Sequence, residues 1–287
     1  MPDYRKTGSA STRLFRRTAS PRSFRLSRRF LPGGLLLNEY AAALPNPCGE
    51  SLLFFTDAHI QFHTIRNLFA PHTHHSWFGT DWLAEALAEA VGLLKPDTLL
   101  FGGDLVTNSV CYPAAAEMLA GLKAPRGCFA VPGNWDKRRR SWIPFREIEK
   151  LYHRAGWEIL INESVRRGGL GVYGLDDYKI GIPHFYGEHS DAPFRLLLSH
   201  NPDSVAELLP DELAHFHLAL CGHTHGGQLR LPFFGALRTS SRYWKRFEYG
   251  CYELKGHDFS MIVSSGIGAT WIPLRINCPP EIVLIRY

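Results

Sequence analysis

From residue 51 onward, short apolar runs alternate with amphipathic stretches. The runs at 52–55, 98–101, 128–131, 195–198 and 218–221 are rich in Leu and Phe and end in polar or glycine-containing turns, a pattern that predicts buried β-strands. Between them Leu83, Leu87, Val91 and Leu94 recur at helical spacing, Pro113 opens a second helix, and Ile148, Leu151, Tyr152 and Ala155 mark a third. Strands that alternate with helices predict a layered α/β domain. After Gln228 the helical period stops, and 247–254, 261–264 and 282–285 read as further strands. No run approaches the roughly 18 apolar residues that span a bilayer, so no transmembrane anchor is expected.

The first 34 residues break this pattern. They are rich in Arg and Ser, poor in acids, and close on Leu31-Pro32-Gly33-Gly34, which reads as a disordered arm joined to the domain by a turn. The expected division is a basic arm over 1–37 and a single domain over 38–287. Of the net charge of +5, residues 1–37 carry nine Arg or Lys against one acid, Asp3, so the rest of the chain sums to −3. A mildly acidic body lacks the basic face of a duplex-binding domain, and nucleic acid is not an expected partner. The arm suits peripheral contact with an anionic membrane, worth roughly 1 kcal/mol per basic residue near the headgroups. Two targeting readings stand beside it. Ser27-Arg28-Arg29-Phe30-Leu31 resembles a twin-arginine export signal with a cleavage region at Ala41-Ala42-Ala43, and the composition also fits an organelle presequence. Pro32 and Glu39 interrupt the apolar segment an export signal needs, so a cytoplasmic location, peripheral at the membrane, is the expectation and export the alternative. The six cysteines form no Cys-x-x-Cys pair and read as buried free thiols.

Five segments share one grammar, in which an apolar strand runs into a turn holding Asp, Asn or His: Thr56-Asp57-Ala58-His59, Gly102-Gly103-Asp104, Pro132-Gly133-Asn134-Trp135-Asp136, Ser199-His200-Asn201 and Cys221-Gly222-His223-Thr224-His225-Gly226. In an α/β sheet the carboxyl ends of the strands form the ligand crevice, so these side chains would converge there. A donor set of carboxylate, amide and imidazole without thiolate suits Mn, Fe, Zn or Mg. A single His after a strand or a single Gly-Asp is ordinarily a turn residue; five in order point to a metal site.

These segments resemble the five signature blocks of the calcineurin-like metallophosphoesterases. The resemblance implies a four-layer α-β-β-α sandwich. It also implies two divalent metal ions, one held by Asp57, His59, Asp104 and His225 and the other by Asp104, Asn134, His200 and His223. The stretches 222–232 and 266–282 are similar to a bacterial, often membrane-associated branch that includes a UDP-2,3-diacylglucosamine pyrophosphatase. The implied activity is hydrolysis of a phosphodiester or pyrophosphate in a phosphorylated small molecule or lipid, with that glycolipid as candidate substrate. A non-catalytic scaffold of the same fold and a nuclease are the alternatives.

In such a site the nucleophile is a metal-bridging hydroxide, and two carboxylates with one hydroxide against two dications leave one net positive charge for the phosphate. The third block of the family reads Gly-Asn-His, with His implied in protonating the leaving oxygen; here position 135 is Trp. The substitution predicts a preference for leaving groups that depart as stable anions. The loop between the first two blocks holds His63, His72, His74 and His75 beside Trp77 and Phe78, and it reads either as a solvated loop or as a lid supplying His74 or His75 as the acid. Trp135, Arg138 and Arg139 are candidates for substrate binding. Asp176 and Asp177 read as turn residues.

Overall fold

The computed structural model describes residues 14–19, 24–42, 47–61, 66–67, 80–107, 109–137, 143–187, 191–270 and 274–287. Among these residues the backbone builds two seven-stranded sheets. The first holds β2 (Phe24–Phe30), β3 (Leu36–Ala42), β4 (Ser51–Phe55), β6 (Thr98–Phe101), β7 (Cys128–Ala130), β8 (Glu158–Ile159) and β18 (Glu281–Arg286), in the order β2-β3-β18-β4-β6-β7-β8. The second holds β1 (Phe15–Thr18), β9 (Glu163–Arg167), β10 (Leu170–Gly174), β11 (Phe194–Leu198), β12 (Leu218–Cys221), β15 (Gly250–Leu254) and β16 (Ser260–Val263), in the order β1-β15-β16-β12-β11-β10-β9. Two small ribbons pair β5 (Arg66–Asn67) with β17 (Leu274–Arg275) and β13 (Arg230–Leu231) with β14 (Gly235–Ala236). The helices are α1 (Thr80–Leu94), α2 (Tyr112–Gly121), α3 (Phe145–Ala155), α4 (Pro202–Ala206) and α5 (Pro210–Leu213).

Alternation of side chains along each strand creates the layers. Leu52 and Phe54 of β4 pack between the sheets with Leu196, Leu198, Leu218 and Leu220, whereas Leu53 and Phe55 face Leu87, Leu119 and Ile148 of the helices. On the opposite outer face Leu197, Ala219 and Met261 meet Val205, Leu213 and Phe216. This is the four-layer α-β-β-α sandwich. Strands buried on both faces explain why the sequence shows unbroken apolar runs in place of a polar alternation. Each fully buried Leu or Phe adds about 1.5–3 kcal/mol of transfer free energy. Helix α3 ends where Gly156 takes φ 84 and returns its N–H to the carbonyls of Tyr152 and His153, a left-handed cap that glycine adopts without steric cost.

The predicted helices and central strands are present, with two corrections. Residues 14–19 and 24–37 are not a disordered arm: β1 pairs antiparallel with β15, and β2 with β3. Arginine-rich composition hid a period of two in which Phe15, Phe24 and Leu26 turn inward. Arg16 and Arg17 meanwhile reach Glu253 and Glu248 at 3.3 and 3.2 Å. Strand β3 spans the expected boundary at residue 37, and residues 27–30 of the export reading lie within β2. The strand expected at 247–254 begins only at Gly250, because residues Trp244–Phe247 form a 3-10 turn. No helix among the described residues is long and apolar enough to cross a membrane. All six cysteines are free, five of them buried.

Candidate metal centre

Strands β4, β6 and β7 run parallel in one sheet, and β11 and β12 run parallel in the other. Their carboxyl ends deliver all seven expected ligands to one place. Donor atoms of Asp57, His59 and His225 lie within 4.8 Å of one another, and so do those of Asp104, His200 and His223. The two groups touch through a single oxygen: Asp104 Oδ2 stands 3.3 Å from His59 Nε2 and 3.3 Å from His200 Nε2. Asn134 Oδ1 joins the second group, 3.2 Å from His200 Nε2.

Asp57, Asp104, His59, His200 and His223 each use one atom to fasten the side chain and turn the other inward. Asp57 Oδ2 accepts from the Thr56 hydroxyl at 2.9 Å and the His223 N–H at 2.8 Å, while its Oδ1 is buried without a hydrogen-bond partner. Asp104 Oδ1 accepts from the Trp135 N–H at 2.7 Å, leaving Oδ2 inward. His59 Nδ1 lies 3.1 Å from Thr107 Oγ1, His200 Nδ1 lies 2.8 Å from the Gly102 carbonyl, and His223 Nε2 lies 3.3 Å from the Ser240 carbonyl. The two carbonyls can only accept, and the Thr107 hydroxyl donates to the His59 carbonyl at 3.5 Å and so is left to accept from Nδ1; all three contacts put the ring proton on the outer nitrogen and a lone pair on the inner one.

Two inner lone pairs, His200 Nε2 and His223 Nδ1, then face each other at 3.0 Å. His59 Nε2 is likewise buried, facing the acceptor Asp104 Oδ2 at 3.3 Å. Acceptors arranged against acceptors require either a proton or a cation among them, and unsatisfied buried polar atoms are costly. Burial alone would lower His200, yet Asp104, followed by Asp57 and Asp177, lifts its imidazolium to about 10. Burial raises Asp104 as well, but His200 and His59 outweigh it and hold that carboxylate well below its ordinary range. Burial keeps His223 and His225 neutral, far below the usual imidazole value. Neutral imidazole and ionised carboxylate are the ligating forms, and a dication competes directly with the proton at His200. The donor set therefore fits a pair of divalent ions.

The backbone carries strain at these positions. Asp57, His59, Asp104, His223 and His225 all have positive φ, between 42 and 69°, a conformation that costs an L-residue roughly 1–2 kcal/mol. Strain concentrated at one cluster of buried polar residues marks a functional site. Glycine lets neighbouring turns close in, for a Cβ on Gly133 would collide with Asp104 Oδ1 and one on Gly222 with Asp57 Oδ2.

Asp136 stands out among residues whose part the sequence did not disclose. Its carboxylate accepts from the backbone N–H groups of Gly133 and Asp104 at 2.8 Å and of Leu105 at 3.1 Å, tying the second and third blocks together. Fourth position in the third block was the only available signal. Arg275, fully buried, likewise braces the floor by donating to the carbonyls of Ser265 at 2.7 Å and Cys278 at 3.3 Å. Asp177 is a turn residue as expected, with Oδ1 accepting from Lys179 and Ile180 N–H.

Trp135 packs at the site. The acid candidates His74 and His75 and the binding candidates Arg138 and Arg139 lie outside the described residues. A cavity of about 350 Å³ opens beside His225, with Lys179, Arg238, Thr224, Ser240 and Thr270 in its wall. Among the described residues neither Lys179 nor Arg238 pairs its side chain with a carboxylate. Burial lowers the Lys179 ammonium, and Arg238 adds to the effect against the opposing pull of Asp203, Asp177 and Asp104.

A family model for the calcineurin-like phosphoesterases matches residues 51–227. The chain is 28% identical over 286 residues to an uncharacterized metallophosphoesterase, YkuE, of Bacillus subtilis (strain 168), covering 91% of this chain and 97% of that one. It is 31% identical over 243 residues to the phosphodiesterase YaeI of Escherichia coli (strain K12), covering 82% and 85%. An uncharacterized metallophosphoesterase of Helicobacter pylori (strain J99) is 30% identical over 209 residues, which is 70% of this chain and 53% of the relative, so the chain spans about half the length of that protein.

Proposed function

We propose a two-metal hydrolysis for this chain, which belongs to the calcineurin-like phosphoesterases and is a metal-dependent phosphoester hydrolase. The bond cleaved is a phosphodiester or a pyrophosphate, in a phosphorylated small molecule or a lipid-linked phosphate. One observation carries the reading: Asp104 Oδ2 is equally close to His59 and to His200, the place of a ligand shared by two ions. Asp57, His59, Asp104 and His225 would hold one ion and Asp104, Asn134, His200 and His223 the other, with Mn, Fe, Zn and Mg all compatible with these donors. When bound, such a pair supplies Lewis acidity toward the phosphoryl oxygens and an activated water.

The chain's own residues do the rest. Thr107 and the Gly102 and Ser240 carbonyls fix the imidazole tautomers, and Asp136 locks the two loops in register. Trp135 occupies the place of the leaving-group acid and has no proton to give in that role, which supports a substrate whose leaving group departs as a stable anion. Lys179 and Arg238 add two cations beside the centre, suited to a second phosphate. A nucleoside-diphosphate lipid such as UDP-2,3-diacylglucosamine has both features. Completeness of the seven-residue donor set supports an enzyme over a scaffold.

The test is metal analysis of protein purified without chelator, together with a manganese-supplemented panel of pyrophosphate-linked nucleotides, cyclic nucleotides, phospholipids, bis(p-nitrophenyl) phosphate and single-stranded DNA. Bound divalent ions and fastest turnover of a pyrophosphate link are expected. Absence of bound ions and of any hydrolysis would return the chain to the scaffold reading, and preference for single-stranded DNA to a nuclease.

A further inference from the structure

We infer that the β13–β14 hairpin and the adjoining 3-10 turn dock the protein on the surface of an anionic lipid bilayer. The hairpin presents its apolar side chains to solvent: Phe233 is 109% exposed, Phe234 59%, Leu231 48% and Leu237 44%, and Trp244 of the turn is 59% exposed. Two of these residues are also strained. Phe233 has φ 63 and Trp244 has φ 55, and a bulky side chain in the left-handed region is an outlier. Neither recovers that cost by burial within the chain, so the conformation serves contact with something else.

Hairpin and turn form one surface, because Lys245 Nζ donates to the Phe234 carbonyl at 2.9 Å and lies 3.4 Å from the centre of the Phe234 ring. Residues 229–247 contain five cations, Arg230, Arg238, Arg242, Lys245 and Arg246, and no acid; Arg230 pairs with Glu248 at 3.0 Å and Arg242 with Glu207 at 3.1 Å, so the patch with those two partners carries a net charge of +3. Aromatic and leucine side chains ringed by cations match the boundary between anionic headgroups and acyl chains. A protruding tip suits a deformable bilayer better than a rigid protein partner, which needs a complementary hollow. A second copy of this chain would bring a net charge of +3 against +3.

The hairpin is braced to the metal centre. Arg230 donates to the Gly226 carbonyl, one residue beyond His225, at 2.6 Å and pairs with the buried Glu248 at 3.0 Å, where Arg17 of β1 also binds at 3.2 Å. Docking would therefore set the height and orientation of the centre above the headgroups. This extends the lipid alternative of the proposed function and rests on it only for that orientation; bilayer binding is measured separately.

The experiment is co-sedimentation of the full chain with vesicles of phosphatidylcholine alone and of phosphatidylcholine mixed with phosphatidylglycerol. Wild type should partition onto the mixed vesicles. A Phe233→Gly/Phe234→Ser/Trp244→Gly variant should bind them roughly tenfold or more weakly, as should Lys245→Glu to a smaller extent. The triple variant should hydrolyse bis(p-nitrophenyl) phosphate at the wild-type rate and melt no lower, since glycine relieves both strained positions. Failure of wild type to bind mixed vesicles, equal binding by the triple variant, or a wild-type dimer that this variant abolishes would each overturn the inference. Loss of soluble-ester hydrolysis in wild type would count against the proposed function alone.

Discussion

Trp135 stands edge-on to His59, with ring centroids 5.5 Å apart and planes at 90°. An indole in that position shields the imidazole from water and cannot protonate a leaving oxygen. Trp135→His should therefore raise kcat for esters of basic alcohols by about 100-fold, the lower end of the usual range of general-acid catalysis. Esters of p-nitrophenol should change little. A plot of rate against leaving-group pKa would show it, with a flatter slope for the variant.

Removing the oxygen shared by the two histidine groups should be far more severe. Asp104→Asn would take a negative charge from the ligand proposed to be shared by two ions, so turnover of every substrate should fall by about 10³-fold or more, a loss of roughly 4 kcal/mol of transition-state stabilisation. Metal analysis should show fewer than two bound ions per chain. Retention of two ions and full activity would refute the shared-ligand geometry.

Asp136 gives a pH-dependent signature. Burial first, and repulsion from Asp104 second, raise its carboxyl to about 6. A folded value above the unfolded one means that its contribution to stability is full below about pH 4 and is lost as pH rises through 6. In chelated protein the loss should be on the order of 2–3 kcal/mol between those limits. Asp136→Asn should remove this slope, which chemical denaturation at pH 4 to 7.5 would reveal. The variant should also be less stable at pH 4, because an amide cannot accept all three backbone N–H bonds.

Lys179→Met and Arg238→Met should discriminate between substrates. Each removes a cation from the cavity beside His225, so KM for a pyrophosphate-linked nucleotide should rise about 10-fold, the worth of one charge-assisted contact. KM for bis(p-nitrophenyl) phosphate should rise less. Equal effects on both would mean that the cavity holds no second phosphate.

Thiol chemistry offers a further check. Burial pushes Cys251 up to about 11, and it also raises Cys111, Cys128, Cys221 and Cys278. Only Cys48 is partly exposed. Brief alkylation of native protein at pH 8 should add a single adduct, located by peptide mapping at Cys48. Modification of Cys221 at a comparable rate would show that β12 opens readily.

That these seven residues would converge was legible because each sits where an unbroken apolar strand meets a polar or glycine-containing turn, a local pattern that needs no knowledge of distant contacts. What each donor's other atom does was not legible. Thr107 beneath His59 and the Ser240 carbonyl behind His223 are joined to their partners only by the fold. The same holds for Arg275, whose charge suggests a surface position until the carbonyls of Ser265 and Gly268 are seen around it. Left-handed backbone at five donors could not be foreseen either, since Asp and His turns usually relax to negative φ. The basic arm shows the opposite error, where composition prevailed over the alternation of Phe24 and Leu26 with Arg25 that β2 expresses.

Strand β4, which delivers Asp57, is hydrogen-bonded on one side to β6 and on the other to β18, with Phe54 opposite Val283. During synthesis on the ribosome β4 and β6 emerge early, but one flank of β4 stays open until the segment around Val283 has been made. The sheet that carries Asp57, His59 and Asp104 thus keeps an open edge at β4 through most of translation, and a nascent chain that stalls before that point exposes a sticky edge.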